Sequence, residues 1–360
     1  MTAQYYGGVD LGGTKITVLI ADEQGAIIAR AQEPLSTSSG RIFRFRDGVA
    51  FSGVTAQIES MLRGLLTDSN IPSLAGIGIG SAGPLQHGAV KNPPNIDLPE
   101  VPSGLPPRPV YLPLTEPLAS AFDAPVRLEN DCNAAVVGEA IYGVGRDTKA
   151  KDTLHLVYVT ISTGLGAGVW TGGRLLLGKE GNAAEMGHVV VKEGGLRCGC
   201  GNDGCAEAYC SGSGIVKNAR VRLADTDLSA DLPLLQLARE AAKQAGGSSG
   251  DHLGLLDFIT PPRVFEAAQA GDPVASAIIG DATHFGGIAL SAIANAFDPQ
   301  TITLGGAIAI AHPEIVAPIA EEMHRHLNVT APDVKLTPLH NAAVELGAIA
   351  LAQRTRPDSP

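Results

Sequence analysis

The sequence predicts an α/β protein of two lobes, and three observations carry that expectation. Its 360 residues exceed the size at which a single core usually stops growing. A hydrophobic content of 44% with only 4% aromatic residues, together with 44 glycines, describes aliphatic strands and helices joined by many tight turns. One plan also occurs twice. Residues 7–33 read GGVD, the glycine turn LGGTK, ITVLIAD, the turn EQG and AIIARAQEP, which predicts three antiparallel strands. Residues 154–177 repeat it with LHLVYVTIS, TGLGAG, VW, TGG and RLLL. A spacing of about half a chain points to duplication, not to a solenoid, and would let the two glycine hairpins face each other across a cleft.

The elements between follow in order. Residues 57–66 have helical periodicity, and 75–79 (AGIGI) read as a buried strand running into the loop GSAGP. A proline-rich connection over 92–125 is expected at the surface, where long loops are disproportionately functional. A short strand at 126–128 and a helix from Asp131 to Ile141 place Asn130 and Asp131 at a strand-to-helix junction, which points side chains into clefts. Residues 206–223 are expected to be helical. The stretch 224–262 combines LLQLAREAAKQA with GGSSG and reads as a surface insertion. Helices are expected at 264–270 and 273–297, then a strand at 301–304 that Gly305 and Gly306 end, and a last helix at 342–353 packing on the first lobe.

Acidic residues outnumber basic ones by 37 to 26, and the net charge of -11 opposes binding to nucleic acid or anionic lipid. The one basic patch, Arg41 to Arg46 (RIFRFR), reads as an exposed edge strand or loop. No basic segment followed by an apolar stretch opens the sequence, and no uninterrupted apolar run approaches the roughly 18 residues of a membrane helix. A cytoplasmic protein with no nucleic-acid or membrane partner is therefore expected. Five cysteines, three of them within 198–205, form an odd, clustered set that argues for metal over a disulfide framework.

Four motifs carry chemistry. Asp10-Leu-Gly12-Gly13-Thr14-Lys15 puts a carboxylate at a strand end before a glycine turn whose backbone amides can cradle phosphate. It is no Walker A loop. The turn containing Thr163 and Gly164 would supply matching amides from the other lobe. Gly78-Ile-Gly80-Ser-Ala-Gly83 matches the dinucleotide pattern G-x-G-x-x-G, but it runs into Pro84 and not into the helix that must receive a pyrophosphate. Cys198, Cys200 and Cys205, with His188 ten residues upstream, make a complete tetrahedral set for structural Zn2+, with no position left to activate water. Such a zinc would tie the loop of His188 to the helix of Glu207 and orient both. In Glu129-Asn130-Asp131 a cleft carboxylate can take a proton from an attacking hydroxyl while the amide fixes another. The same triplet also suits an N-cap.

Taken in this order, 10–15, 78–84, 129–131, 162–168, Glu185-Met-Gly-His188, Cys198-Gly-Cys200-Gly-Asn-Asp-Gly-Cys205-Ala-Glu207 and Leu304-Gly305-Gly306 resemble the ROK family of repressors, open reading frames and kinases, which includes bacterial glucokinases. The resemblance covers nearly the whole chain. It implies the two-lobed actin/hexokinase/Hsp70-like ATPase fold of duplicated ribonuclease H-like domains. The smaller lobe would comprise 1–128 plus 343–360, and the larger, zinc-bearing lobe 129–342. It implies phosphorylation of a hexose by ATP with Mg2+, glucose first among candidates, with other hexoses and N-acetylhexosamines as alternatives. Asp131 would be the general base, and Asn130, Glu185, His188 and Glu207 would hold sugar hydroxyls. Asp10, Gly12, Gly13, Thr14, Lys15, Thr163, Gly164, Gly305 and Gly306 would serve the nucleotide and its metal. A homodimer is also implied. The sequence departs from the family in lacking a proline near Ser81, in Ala184 where a glycine usually precedes the glutamate, and in Lys179 and Glu180 upstream, so the rim of the sugar site is expected to differ. The family's repressors carry a helix-turn-helix ahead of the first strand; that strand starts here within ten residues, which favours the kinase branch.

Overall fold

The computed structural model describes residues 3–36, 44–46, 49–91, 111–224, 226, 230–245 and 252–354. They form two compact units, one of residues 1–158, 168–184 and 337–360, the other of 159–167 and 185–336. This division differs from the one expected at residue 128, because the helix beginning at Asp131 packs against the C-terminal helix of the first unit.

The first unit opens with the expected meander. Strands β1 (Tyr6–Leu11), β2 (Lys15–Ala21) and β3 (Ile27–Pro34) are antiparallel neighbours. A short hairpin, β4 (Arg44–Arg46) with β5 (Val49–Phe51), takes up the described end of the basic patch; Arg41 lies outside the described residues. Helix α1 (Gly53–Asp68) starts at a capping box between Ser52 and Thr55. Next comes β6 (Gly76–Ser81), followed by a small sheet of β7 (Leu85–Gln86), β8 (Ala89–Lys91) and β9 (Tyr111–Pro113). No helix follows the G-x-G-x-x-G run, so that pattern is a strand and a turn. Residues 92–110 of the proline-rich connection lie outside the described ones; its end forms β9 and α2 (Thr115–Phe122). Strand β10 (Val126–Asn130) leads into α3 (Asp131–Ile141).

The main sheet of this unit has the order β10-β6-β1-β2-β3, with β1, β6 and β10 parallel. Ile16, Val18, Ile20, Ile58, Leu62, Ile77 and Ile79 fill its core on one side. The other side carries the last helix of the chain, whose apolar face is mostly alanine and so lets the helix lie close to the sheet.

A second sheet runs β13-β12-β11-β14-β15, using β11 (Leu156–Ile161), β12 (Leu165–Thr171), β13 (Arg174–Leu175), β14 (Thr301–Gly305) and β15 (Asp333–Leu336). Its first three strands are the second copy of the meander. The expected single helix over 206–223 is broken into α4 (Glu207–Cys210) and α5 (Gly212–Leu223). Ser211 is the cause: its extended backbone interrupts the first helix while its hydroxyl accepts from Gly214 N at 3.0 Å and caps the second.

Helices α6 (Pro233–Gln244), α7 (His252–Leu256) and α8 (Pro261–Gln269) follow, then α9 (Pro273–Phe297), α10 (Gly306–Ala311), α11 (Val316–His324) and α12 (Ala343–Gln353). The stretch read as a surface insertion is in part core. Leu234, Leu235 and Ala238 of α6 are fully buried, and the buried carboxylate of Asp272 accepts from Leu234 N at 2.8 Å. Residues 246–250 lie outside the described ones. Among the described residues α9 alone is long and apolar enough to cross a membrane, and half of its most apolar stretch is buried within the protein, the pattern of a core helix.

Candidate active site

In the first unit the candidate residues collect at one edge of the sheet. Asn130 and Leu11 both stand in register with Ser81, so the carboxyl ends of β10, β6 and β1 coincide. Ligands of open parallel sheets bind beyond such ends. The turn after β1 is closed by Gly12 N donating to Lys15 O at 3.0 Å and anchored by Leu35 N donating to Thr14 O at 2.8 Å. Gly13, Thr14 and Lys15 are exposed, and Lys15 Nζ lies 3.4 Å from Gln32 Oε1.

Asn130 caps α3, its Oδ1 accepting from Cys132 N at 2.9 Å and Asn133 N at 3.4 Å, so the capping role of this triplet is real. Capping occupies the amide oxygen and leaves Nδ2 to donate elsewhere. Asp131, the first helical residue, also accepts from Cys132 N, at 2.8 Å. Burial pushes its carboxyl above the usual range, and the amides at the helix start only partly offset that. Asp10 is pushed up to about 7, first by burial and then by the negative charges of Asp131 and Glu345, against the pull of Lys15 and Arg30. Arg30 forks onto Glu345 through Nε at 2.9 Å and Nη2 at 2.7 Å. A half-buried acid whose charge is disfavoured by burial and by the neighbouring Asp131 makes a place suited to a proton or a cation.

In the second unit His188, Cys198, Cys200 and Cys205 place one ligand atom each within 4.8 Å of one another. Cys198 Sγ lies 3.7 Å from His188 Nδ1, and Cys200 Sγ lies 3.7 Å from Cys205 Sγ. A tetrahedral zinc with Zn–S bonds of about 2.3 Å requires sulfurs about 3.8 Å apart, so the donor set fits zinc in number, chemistry and spacing. Backbone bonds hold the loop: Cys198 N to Asn202 O at 2.8 Å, and Ala206 N to Val189 O at 2.9 Å. Tyr209 OH accepts from Leu196 N at 2.7 Å. The other nitrogen of His188, Nε2, lies 3.9 Å from Glu185 Oε2, and the Glu185 side chain is 57% exposed.

The second glycine turn lies in the same unit. Its carbonyls are held from the start of α5, Ser162 O accepting from Gly212 N at 2.7 Å and Thr163 O from Ser213 N at 3.2 Å. Glu207 Oε2 accepts from Leu165 N at 3.1 Å. Gly306, which opens α10 after Gly305, sits at φ +85°, and a Cβ there would stand 2.5 Å from Thr160 Oγ1. Only glycine fits. A cavity of about 1070 Å³ adjoins these groups, lined by Thr163, Ser213, Val216, Leu256, Pro261 and Ile308 among others, with Cys198 and Glu207 also on its wall.

The candidates thus fall into two sets. Asp10, Gly12, Gly13, Thr14, Lys15, Asn130 and Asp131 belong to the first unit; Thr163, Gly164, Glu185, His188, Glu207, Gly305, Gly306 and the cysteines belong to the second. Sequence reasoning missed Gly212 and Ser213, although the run Ser211-Gly-Ser-Gly214 signals a broken and recapped helix. It also missed the Arg30–Glu345 pair, whose partners stand 315 residues apart and carry no local signal.

Residues 6–355 match the family described as the ROK family. The chain is 32% identical over 356 residues to a glucokinase of Streptomyces coelicolor, covering 97% of this chain and 98% of that one. It is 33% identical over 219 residues to an N-acetylmannosamine kinase of Salmonella arizonae, covering 61% and 65%. A solved ROK family glucokinase from Streptomyces griseus, in complex with glucose and AMPPNP, superposes with a TM-score of 0.69 at 29% identity, covering 98% of this chain and 99% of that one. With its strand ends, glycine turns and cysteine loop in that arrangement, the chain has the actin/hexokinase-like ATPase fold and belongs to the ROK family.

Proposed function

We propose that this protein is an ATP-dependent sugar kinase that phosphorylates glucose at the 6-hydroxyl, with Asp131 as general base. The observation that carries the reading is the position of Asp131, a half-buried carboxylate made more basic by burial, in one row with the glycine turn of Asp10. The full-length likeness to glucokinases supports a sugar as acceptor and a nucleotide as donor.

Asp131 takes the proton of the 6-hydroxyl as its oxygen bonds to the γ-phosphorus, and the bond to the β,γ-bridging oxygen breaks to release ADP. Such transfers rest on positioning and charge stabilisation. Asn130 Nδ2, Glu185, His188 Nε2 and Glu207 are assigned to sugar hydroxyls. The amides of Gly12, Gly13, Thr163 and Gly164, with Thr14 and Lys15, are assigned to phosphates. The apolar walls Val216, Leu256, Pro261 and Ile308 suit the base, with Gly305 and Gly306 beside them. Mg2+ would neutralise phosphate charge, and Asp10, its carboxyl raised by burial and then by its acidic neighbours, is the group fitted to orient it through water. Zinc would be structural, held by His188, Cys198, Cys200 and Cys205.

An N-acetylhexosamine acceptor is the second reading, favoured by the likeness to the N-acetylmannosamine kinase. The test is ADP release from MgATP across hexoses and N-acetylhexosamines, with a no-sugar control and with Asp131→Asn alongside. Glucose should stimulate most, and the variant should bind glucose yet turn over about 10²-fold or more slower. Unchanged turnover in Asp131→Asn would remove the assignment of the base, and sugar-independent ADP release would remove the kinase.

A further inference from the structure

Glu207 stands where three structures meet. It is the first residue of α4, two positions after the zinc ligand Cys205, so the metal loop is its mount. Its Oε2 accepts from Leu165 N at 3.1 Å, at the end of the second glycine turn, and its Oε1 lies 3.4 Å from Cys198 Sγ. The fit against the turn is close: a Cβ on Gly164 would come within 2.8 Å of Oε2. From its backbone, Glu207 O accepts from Ser211 Oγ at 2.7 Å, and Ser211 caps the helix whose first amides hold Ser162 O and Thr163 O. The turn is therefore gripped from two sides, by the Glu207 carboxylate and by the first amides of the helix that Ser211 caps. Arg197, Cys198 and Gly199 of the metal loop share the 1070 Å³ cavity with Thr163 and Ser213.

We propose that Glu207 is a positioning residue for the nucleotide: seated at the end of the zinc loop, it holds the 162–165 turn through the bond of its carboxylate to Leu165 N and so sets the turn's phosphate-binding shape, in addition to any contact with sugar. A carboxylate accepting from a backbone amide is a charge-assisted bond, roughly twice as strong as a neutral one. Its loss leaves the turn held through its carbonyls alone. The proposal rests on the assignment of this turn and cavity to ATP.

The experiment measures MgADP affinity by calorimetry without sugar, for the wild type, Glu207→Gln, Glu207→Ala and Glu207→Asp, with zinc content and thermal midpoint determined on each. Gln retains an oxygen for Leu165 N, and its affinity should stay within about threefold of wild type. Ala removes the acceptor and Asp withdraws it by one methylene while keeping the charge; both should weaken MgADP about tenfold, the scale of one charged hydrogen bond. Should the Ala variant lose zinc or fail to fold, the Asp variant carries the test. Wild-type MgADP affinity in Glu207→Asp or Glu207→Ala, with only sugar affinity reduced, would overturn the brace. A wild-type protein that binds no MgADP would instead overturn the nucleotide assignment itself.

Discussion

The two glycine turns come from one strand–turn–strand plan and each is closed by its own backbone, yet they differ in what surrounds them. The turn of Asp10 presents exposed Gly13, Thr14 and Lys15, is closed by its own backbone and anchored by the single amide of Leu35, and has its distinctive property in a carboxyl pushed up to about 7. The turn of Thr163 contains no titratable side chain, is closed by Ser162 N donating to Gly164 O at 2.9 Å, and is further gripped by Gly212, Ser213 and Glu207. The first is shaped by charge and the second by bracing. A duplicated scaffold thus supplies the same local geometry twice while the surroundings decide what each copy can do.

The largest expected effect breaks the braced copy. Cys205, fully buried, supplies one of the four cluster donors, and Cys205→Ser should release the loop that carries Glu207. Loss of a structural metal belongs to the changes that cost more than about 4 kcal/mol. Hydrogen exchange should show Leu165 and the start of α5 losing protection while β1 and β2 keep theirs. Equal loss in both turns would mean that the cluster stabilises the molecule at large. Wild-type metal content and protection in the variant would dismiss the zinc site.

The next effect tests the charged copy. The Asp10 carboxyl rises from 3.8 to about 7 on folding, so between about pH 4 and pH 7 the folded state binds the proton more tightly than the unfolded one. Stability of the ligand-free protein should therefore fall as pH rises through that window, with the penalty complete above it. Asp10→Asn abolishes the penalty. At pH 8 the variant should be more stable by about 1–2 kcal/mol, discounted for partial exposure, or several degrees in Tm, and the gain should vanish below pH 4. Activity should fall, because the asparagine lacks the negative charge that would hold a metal's water. A destabilised variant at pH 8 would show that Asp10 is held ionised by Lys15 and Arg30.

The same contrast explains what could be read from the sequence. The meander, α3 and α9 were legible because apolar runs and glycine turns declare themselves locally, and so were the cysteine spacing and the junction at Asn130 and Asp131. What escaped depends on contacts remote in sequence. Arg30 meets Glu345 across 315 positions, and Asp272 caps the incoming chain of α6 from 38 residues away, which turns a supposed insertion into core. The exposure of the first turn against the bracing of the second is equally non-local: the residues that brace Thr163 lie in α4 and α5.

The smallest effect concerns Ala184, where the family usually has glycine. It adopts φ +65°, a left-handed conformation that costs an alanine about 1–2 kcal/mol. Ala184→Gly removes that strain but adds freedom to the unfolded chain worth about 0.5–1 kcal/mol, so a net gain between zero and about 1.5 kcal/mol is expected in a denaturant titration. The kinetics sharpen the result. Ala184 precedes Glu185, which leads the 3-10 turn of Met186–His188, so its strain bears on the residues assigned to sugar and not on the first turn. If the strain sets the direction of Glu185, the variant should raise the KM for sugar while the KM for ATP stays fixed, as stored strain at a functional position predicts. If it gains stability with both constants unchanged, alanine at this position is a departure that the fold tolerates and the site does not use.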